Sequence, residues 1–470
     1  MKFKFFGFLF LFLYAFVNPV LAVSDPRSVP NNIVGINSLS PESEIADVAS
    51  LVNNGGDWGY VVIVIRKDER DLKRWQSFLD QARKQHLIPI IRLATMIDKK
   101  GFWEHPGEND VQEWADFLSK LYFPTKNRYV QVYNEVNVSG EWGGEVNAAD
   151  YARELDKTID AFKEKSGDFF ILNAPLDLSL TTSKTSLETS EFFQKMEDAV
   201  PGIFKKLDGW ASHSYPNPDF SAPPSESGKT SIEGFIWELD QIDTYIAGKD
   251  LPVFITETGW KRDKNGLTED EIANYYKEAF ANAWNDERIV AVTPFVLNYP
   301  EPLFDQFSFK NSTENSAHTY YEHFFAIRDL PKVKGEPRRE NLISELKINR
   351  PSVVLKDFEN VIRFRFKNEG NYVWDTKKDL AIKVISANLS VRKPSWSKEE
   401  VYPGQEVTAT LKIQGIDRGT VPLRLQIVHG GQILAESKSE LTVDTPFSLF
   451  IKRIKALWSH LRLDVFGRFL

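Results

Sequence analysis

Two glutamates, Glu135 and Glu257, are the residues of this chain best placed to do chemistry. Each closes a short β-rich run, YVQVYNE over residues 129–135 and PVFITE over residues 252–257. The ends of similar runs carry Arg66, Arg92, Asn134, the pair His213 and Tyr215, and Asn298 followed by Tyr299. Such groups meet only if the runs are parallel strands whose C-terminal ends share one rim. Two carboxylates facing each other across that rim are what scission of a glycosidic bond requires. One must be protonated to release the leaving oxygen, and the other ionised to attack carbon or activate water. Like charge and local burial push the two proton affinities apart.

The elements that would hold these groups can be read along the chain. Short apolar runs fall at 32–37, 60–65, 88–94, 129–133, 169–173, 209–212, 252–256 and 290–296. Amphipathic stretches at 69–85, 111–122, 148–165 and 267–285 lie between them. Strands alternating with helices predict a parallel sheet with a crossover at each step. Eight such units across residues 30–330 predict a (β/α)8 TIM barrel, a fold of about 250 residues plus insertions. An open doubly wound sheet is the alternative, but no Gly-rich dinucleotide turn follows the first strand.

In this setting the residues resemble a known group. Asn134-Glu135 after strand four, with Glu257 after strand seven, is similar to the pattern of clan A retaining glycoside hydrolases. His213-x-Tyr215 after strand six matches an element of the cellulase-like family five. The resemblance implies Glu135 as acid/base, Glu257 as nucleophile and Asn134 on the sugar 2-hydroxyl. It also implies that Tyr215 bonds the nucleophile and that His213 lines the sugar site. For the arginine that supports the nucleophile, Arg66 on strand two is the better positional match, and Arg92 could share or take the role. One departure stands out. Many members carry a Trp at the end of strand eight, where this chain reads TPFVLNY, so Phe295 or Tyr299 would have to substitute.

Blander readings exist for each residue. The two glutamates could be structural partners of Arg66 or Arg92, since arginine–carboxylate pairs are common in barrel mouths. Asn134 could cap a loop, and His213 could be a satisfied structural donor. Trp103, Trp142 and Trp260 follow strands three, four and seven, and are expected either to stack on sugar faces or to pack in their loops. With no pair of histidines at metal-ligand spacing, no metal and no cofactor are expected.

Composition narrows the field further. The 470 residues contain no cysteine, which excludes disulfides, thiolate metal sites and a catalytic thiol. A formal charge of −8 argues against nucleic acid as a partner and leaves a carbohydrate as the expected one. Residues 1–22 have a charged start, an apolar run and a small-residue end at Val20-Leu21-Ala22, the pattern of a secretory signal peptide. The protein is therefore expected outside the cytoplasm, extracellular or at the cell envelope.

Beyond the barrel, residues 331–340 (PKVKGEPRRE) read as a linker. Residues 341–445 alternate apolar and polar, with Asn-Glu-Gly, Pro-Gly and Gly-Gly turns, which predicts an all-β sandwich. The segment FRFKNEGNYVW resembles immunoglobulin-like modules of secreted proteins, and a spacer is the role this implies. Residues 446–470 form a basic amphipathic helix suited either to an anionic membrane surface or to docking on the preceding domain. The chain as a whole reads as an exported retaining glycoside hydrolase. A transglycosylase would share the same residues, and a non-catalytic carbohydrate-binding or scaffold protein would be the rival class.

Overall fold

The computed structural model describes residues 23–263, 266–311 and 319–466, with only the backbone described over 458–466. The expected signal peptide, residues 1–22, lies outside the described residues, as do residues 467–470 of the expected C-terminal helix and the side chains of Trp458, Leu461 and Arg462.

The first part of the chain is mixed α/β. Its parallel strands are β1 (Gly35–Ser38), β2 (Gly59–Arg66), β3 (Leu87–Ala94), β4 (Arg128–Gln131), β5 (Phe169–Leu172), β6 (Trp210–His213), β7 (Val253–Glu257) and β8 (Ile289–Val292). They pair in sequence order as two sheets, β1 to β5 and β6 to β8. One parallel bridge, Leu172 to Gly209, links β5 toward β6, and another, Val34 to Val292, links β8 back toward β1. The helices between the strands are α1 (Pro41–Asn53), α2 (Leu72–Lys84), α3 (Asp110–Leu118), α4 (Ala148–Lys165), α5 (Thr189–Ala199), α6 (Ile203–Lys206), α7 (Gly234–Ile246), α8 (Glu269–Ala281) and α9 (Glu322–Arg328).

The sequence explains why these elements form. In α2, Asp71 caps the N-terminus by accepting from the Arg74 amide. Trp75, Phe78, Leu79 and Ala82 then recur at helical spacing and are buried against the sheet. α8 begins with a capping box in which Thr268 and Glu271 satisfy each other's amides. The strands are apolar on both faces because each is covered twice. One face meets the helices. The other meets an aromatic interior in which Phe254 of β7 contacts Tyr60 of β2 at 6.3 Å, Tyr129 of β4 at 5.4 Å and Phe170 of β5 at 5.6 Å between ring centroids. Each such buried side chain stabilises the fold by about 1.5–3 kcal/mol.

The second part is β-rich and antiparallel except where Val353–Leu355 pairs in parallel with Gln432–Asp444. One sheet runs in the order Leu389–Val391, Glu406–Gly415, Asn360–Asn368 and Ile343–Asn349; the other in the order Val353–Leu355, Gln432–Asp444, Gly419–His429 and Leu380–Ile385. Alternation sets the faces: Ile362, Phe364 and Phe366 are buried while Arg363 and Arg365 are exposed. Gly430 and Gly431 both have positive φ, 52° and 89°, and connect the longest hairpin as a two-residue turn. The two sheets share a core of their own, separate from that of the α/β part.

Residues 331–340 carry no helix but are strapped to the α/β part. The Gly335 amide donates to Asp57, that of Glu336 to Pro30, and Arg338 accepts from the Lys126 amide. Buried Arg83 of α2 reaches the other way, donating to the Asn371 carbonyl at 2.9 Å and to the Tyr122 carbonyl at 2.7 Å. A final helix, α10 (Pro446–Phe466), is tied down at its start, where Lys452 pairs with Asp444 at 2.7 Å. Phe447, Phe450 and Leu457 on it are exposed. Among the described residues no helix is long and apolar enough to cross a membrane.

Candidate active site

A cleft of about 490 Å³ opens at the C-terminal ends of the strands. Glu135 enters it from the loop after β4. That loop is bent sharply, with φ of 69° at Tyr133 and 36° at Glu135, both in the left-handed region that side chains disfavour. The bend is held by the Glu135 amide on the Pro175 carbonyl at 2.9 Å and the Val138 amide on the Glu135 carbonyl at 2.9 Å. Glu257 is the last residue of β7, so the strand itself aims it. One carboxylate oxygen of each glutamate and one ring nitrogen of His213 lie within 4.8 Å of one another.

Glu257 is the more tightly held of the two. Arg92 Nη1 donates to its Oε1 at 3.2 Å, and the Tyr215 hydroxyl donates to its Oε2 at 3.1 Å. Burial and the Glu135 charge push its proton affinity up, while Arg92 and the Tyr215 hydrogen bond favour the charged form. Glu135 has fewer donors. Burial, with Asp177 nearby, pushes its pKa up to about 7, and Arg92 opposes this only in part. His213 is fully enclosed at the end of β6. Its Nδ1 is 2.8 Å from Glu135 Oε1 and its Nε2 is 3.8 Å from Glu257 Oε1. Burial pulls its pKa down to about 4, so the ring is neutral near pH 7.

The structure thus brings Glu135, Glu257, Asn134, Arg66, Arg92, His213 and Tyr215 into one cleft. Four expectations are corrected. Arg66 is the better positional match for the contact to Glu257, but Arg92 makes it. Arg66 pairs with Asp68 at 3.2 Å and Glu69 at 3.6 Å on the open side of the cleft. The strand register gives the reason: Val64 is level with Arg92, and Arg66 with Ala94. Arg66 therefore sits two residues, roughly 7 Å, above the layer of Arg92. Trp142 and Trp260 do not line the cleft. Trp142 is buried against Tyr133 and Tyr151 with its indole N–H on Asp150, and Trp260 against Tyr276 and Trp284 with its N–H on the Ala222 carbonyl. Asn298 is half-buried and also off the cleft, whereas its neighbours Phe295 and Tyr299 line it.

Other lining residues escaped the sequence reading. Glu141 lies in the loop after β4, near the Arg92 guanidinium at 4.0 Å, and burial pushes its pKa up to about 7. Asp177 follows β5, and Phe220, Phe304 and Phe307 form an aromatic side of the cleft with Tyr215 and Phe295. The position of Glu141, six residues after Glu135 in one strand-end loop, was the available signal. Trp103, from the loop after β3, does line the cleft. The oxygens of Glu135 and Glu257 and the His213 nitrogen could also ligate a cation, but the Arg92 charge on Glu257 opposes one there.

Residues 102–317 match the family described as glycosyl hydrolase catalytic core, and that span contains Glu135, His213, Tyr215 and Glu257. No curated protein matches the chain in sequence. Among solved structures, it is similar to a family 39 β-xylosidase from Caulobacter crescentus (13% identity, 84% of this chain and 98% of that one, TM-score 0.47). It is also similar to a family 39 glycoside hydrolase from the gut symbiont Bacteroides cellulosilyticus WH2 (12% identity, 82% of each chain, TM-score 0.45). A family 128 endo-β-1,3-glucanase from Sorangium cellulosum is a third (14% identity, 63% and 97%, TM-score 0.43). The protein is a glycosidase, an enzyme that hydrolyses O-glycosyl compounds, and the catalytic-core match is the finding that says so.

Proposed function

We propose that this glycosidase is an exported, retaining enzyme of the clan A type that acts on oligo- or polysaccharides by double displacement on a (β/α)8 barrel. One observation supports retention above the others: oxygens of Glu135 and Glu257 lie within 4.8 Å of each other. Retaining enzymes hold their carboxyl groups about 5–5.5 Å apart, and inverting ones 6.5–9.5 Å apart to admit a water.

In the first step a Glu257 oxygen bonds to the anomeric carbon as the bond to the leaving oxygen breaks. The electron pair of that bond stays on the leaving oxygen, which takes the proton of Glu135. Arg92 and Tyr215 keep Glu257 charged for the attack. In the second step Glu135, now ionised, takes a proton from water as the water oxygen bonds to the same carbon. The Glu257 ester breaks and the carboxylate returns. NMR of the first-formed product tests this reading: the retained anomer is expected, and the inverted anomer overturns it. Glu257→Ala should abolish turnover, and persistent turnover would assign the nucleophile elsewhere.

Export rests on the signal pattern of residues 1–22, and N-terminal sequencing of protein recovered outside the cytoplasm tests it; a chain beginning at Met1 there counts against cleavage. The β-rich part is read as an immunoglobulin-like spacer. For α10 we favour an anionic membrane surface, because exposed Phe447, Phe450 and Leu457 accompany Lys452, Arg453 and Lys455 on one short helix. Sedimentation with anionic vesicles, lost on deleting residues 446–470, is the expected result.

A further inference from the structure

The cleft is divided by chemistry around its rim. Apart from Glu257, the charged residues that line it come from the ends of β2 to β5 and the loops after them, among them Arg66, Arg92, Glu135 and Asp177. The loops after β6 and β8 bring rings instead. These touch in series: Tyr215 meets Phe220 at 5.1 Å between centroids, Phe220 meets Phe307 at 5.2 Å, and Phe295 lies 6.3 Å from Phe307 and 5.7 Å from Phe304. The series starts beside the reacting centre, where the Tyr215 hydroxyl donates to Glu257. It ends at the open rim, where Leu303 is 66% exposed and Phe304 38%.

Sugar hydroxyls need hydrogen-bonding partners, and this side offers few. The Tyr215 hydroxyl is already given to Glu257, which leaves the Tyr299 hydroxyl and Asn217 among the described lining residues there. Nor is the wall one flat platform. Ring planes meet at 83° for Tyr215 and Phe220, 90° for Phe220 and Phe307, and 88° for Phe295 and Phe304, so edges alternate with faces. A pyranose stacks on one broad face, whereas methylenes pack on edges and faces alike. The backbone that presents Phe220 is strained as well: Asp219 and Phe220 have φ of 54° and 55°, both left-handed. The Lys261 amide on the Phe220 carbonyl at 3.1 Å and Lys261 Nζ on Asp219 at 2.9 Å hold this turn shut. Strain kept in the wall of a cleft points to a use for the side chain it carries.

We propose that the leaving group of the substrate is apolar, an alkyl or aryl aglycone that lies along Phe220, Phe307 and Phe304 while the sugar lies over the charged half. The inference rests on Glu135 as the acid in the reading above and narrows that reading: the bond cleaved joins a glycan to an apolar group. His213 Nδ1, 2.8 Å from Glu135, ties the acid to the strand whose loop carries Phe220. A group borne on the oxygen that Glu135 protonates therefore starts at the root of the ring series. That oxygen keeps the electron pair of the broken bond and takes the Glu135 proton, so the aglycone leaves as its alcohol or phenol.

The test is a series of n-alkyl glycosides, methyl to octyl, of a sugar whose aryl glycoside the wild type cleaves, each used below its micelle concentration. These alcohols depart with nearly equal difficulty, so chain length reports contact with the wall. In the wild type kcat/KM should rise about two- to fourfold per methylene over the first several. The octyl glycoside should also be cleaved better than the disaccharide of the same sugar. Phe304→Ala, and Phe220→Asn, which puts a residue tolerant of the left-handed turn at that position, should each lose about tenfold more on the octyl than on the methyl glycoside. A flat dependence on chain length in the wild type, a preference for the disaccharide, or equal losses at both ends of the series would overturn the inference and leave the glycosidase reading standing. If the wild type cleaves no glycoside in a broad panel, that reading falls and this inference falls with it.

Discussion

His213 touches both catalytic candidates at once, with Nδ1 2.8 Å from Glu135 and Nε2 3.8 Å from Glu257. A protonated imidazole there would pair with either carboxylate and upset the separation of acid from nucleophile. Burial prevents this by pulling its pKa down to about 4. The neutral ring carries one proton for two neighbours, so it can hold Glu135 in place without supplying a second charge.

The pH dependence should follow from this. In the proposed double displacement Glu135 is protonated for the first step, and its pKa of about 7 places the loss of kcat/KM as pH rises through neutrality. An NMR titration of the His213 ring should find no protonation between pH 5 and 9. Glu135→Ala should abolish the falling limb on an aryl glycoside with an activated leaving group, whose departure needs no proton. On an unactivated sugar it should lose about 10²–10⁴-fold.

The two arginines are separable by kinetics. Arg92→Ala removes the cation on Glu257 and should cost about 10²–10³-fold in kcat/KM. Because its positive charge favours the ionised nucleophile, its loss should also move the rising pH limb upward. Arg66→Ala breaks only half-exposed pairs with Asp68 and Glu69 and should cost far less.

Tryptophan substitutions should divide by burial. Trp142→Ala and Trp260→Ala each remove an indole from the core and should cost about 3–5 kcal/mol in denaturant unfolding. Phe304→Ala, on the aromatic side of the cleft, should raise KM with a small effect on stability. A raised KM without loss of stability at Trp142 or Trp260 would contradict their placement.

Glu238 of α7 offers a test away from the cleft. It is fully buried on the Ser212 hydroxyl, and burial raises its pKa to about 8. A carboxyl raised on folding contributes stability that is full below the ordinary pKa, near 4.5, and is lost as pH rises toward about 8. Glu238→Gln should therefore match the wild type at pH 5 and exceed it at pH 9 by on the order of a few kcal/mol.

Much of the scaffold was legible because parallel strands are buried on both faces and read as apolar runs between amphipathic helices. The stretch expected at 148–165 is helix α4, Ala148–Lys165. Glu257 could be placed because the strand itself carries it. What escaped depended on geometry without periodicity. Arg66 and Arg92 differ by one layer of a sheet, which register decides and local sequence does not. Trp142 sits one residue after Glu141, yet the loop turns the indole inward and leaves the acid at the cleft. Phe220 comes from the loop after β6 and Phe304 and Phe307 from the segment after β8, and only folding assembles them into one wall.

Arg83 sets a limit on how this enzyme can be pared down. Its guanidinium is enclosed at the seam, and one of its acceptors, the Asn371 carbonyl, belongs to the β-rich part. A fragment ending near residue 330 would leave that cation with a hydrogen bond missing. The β-rich part is thus hydrogen-bonded to the α/β part at Arg83, and a fragment without it would need Arg83 and its neighbours redesigned for water.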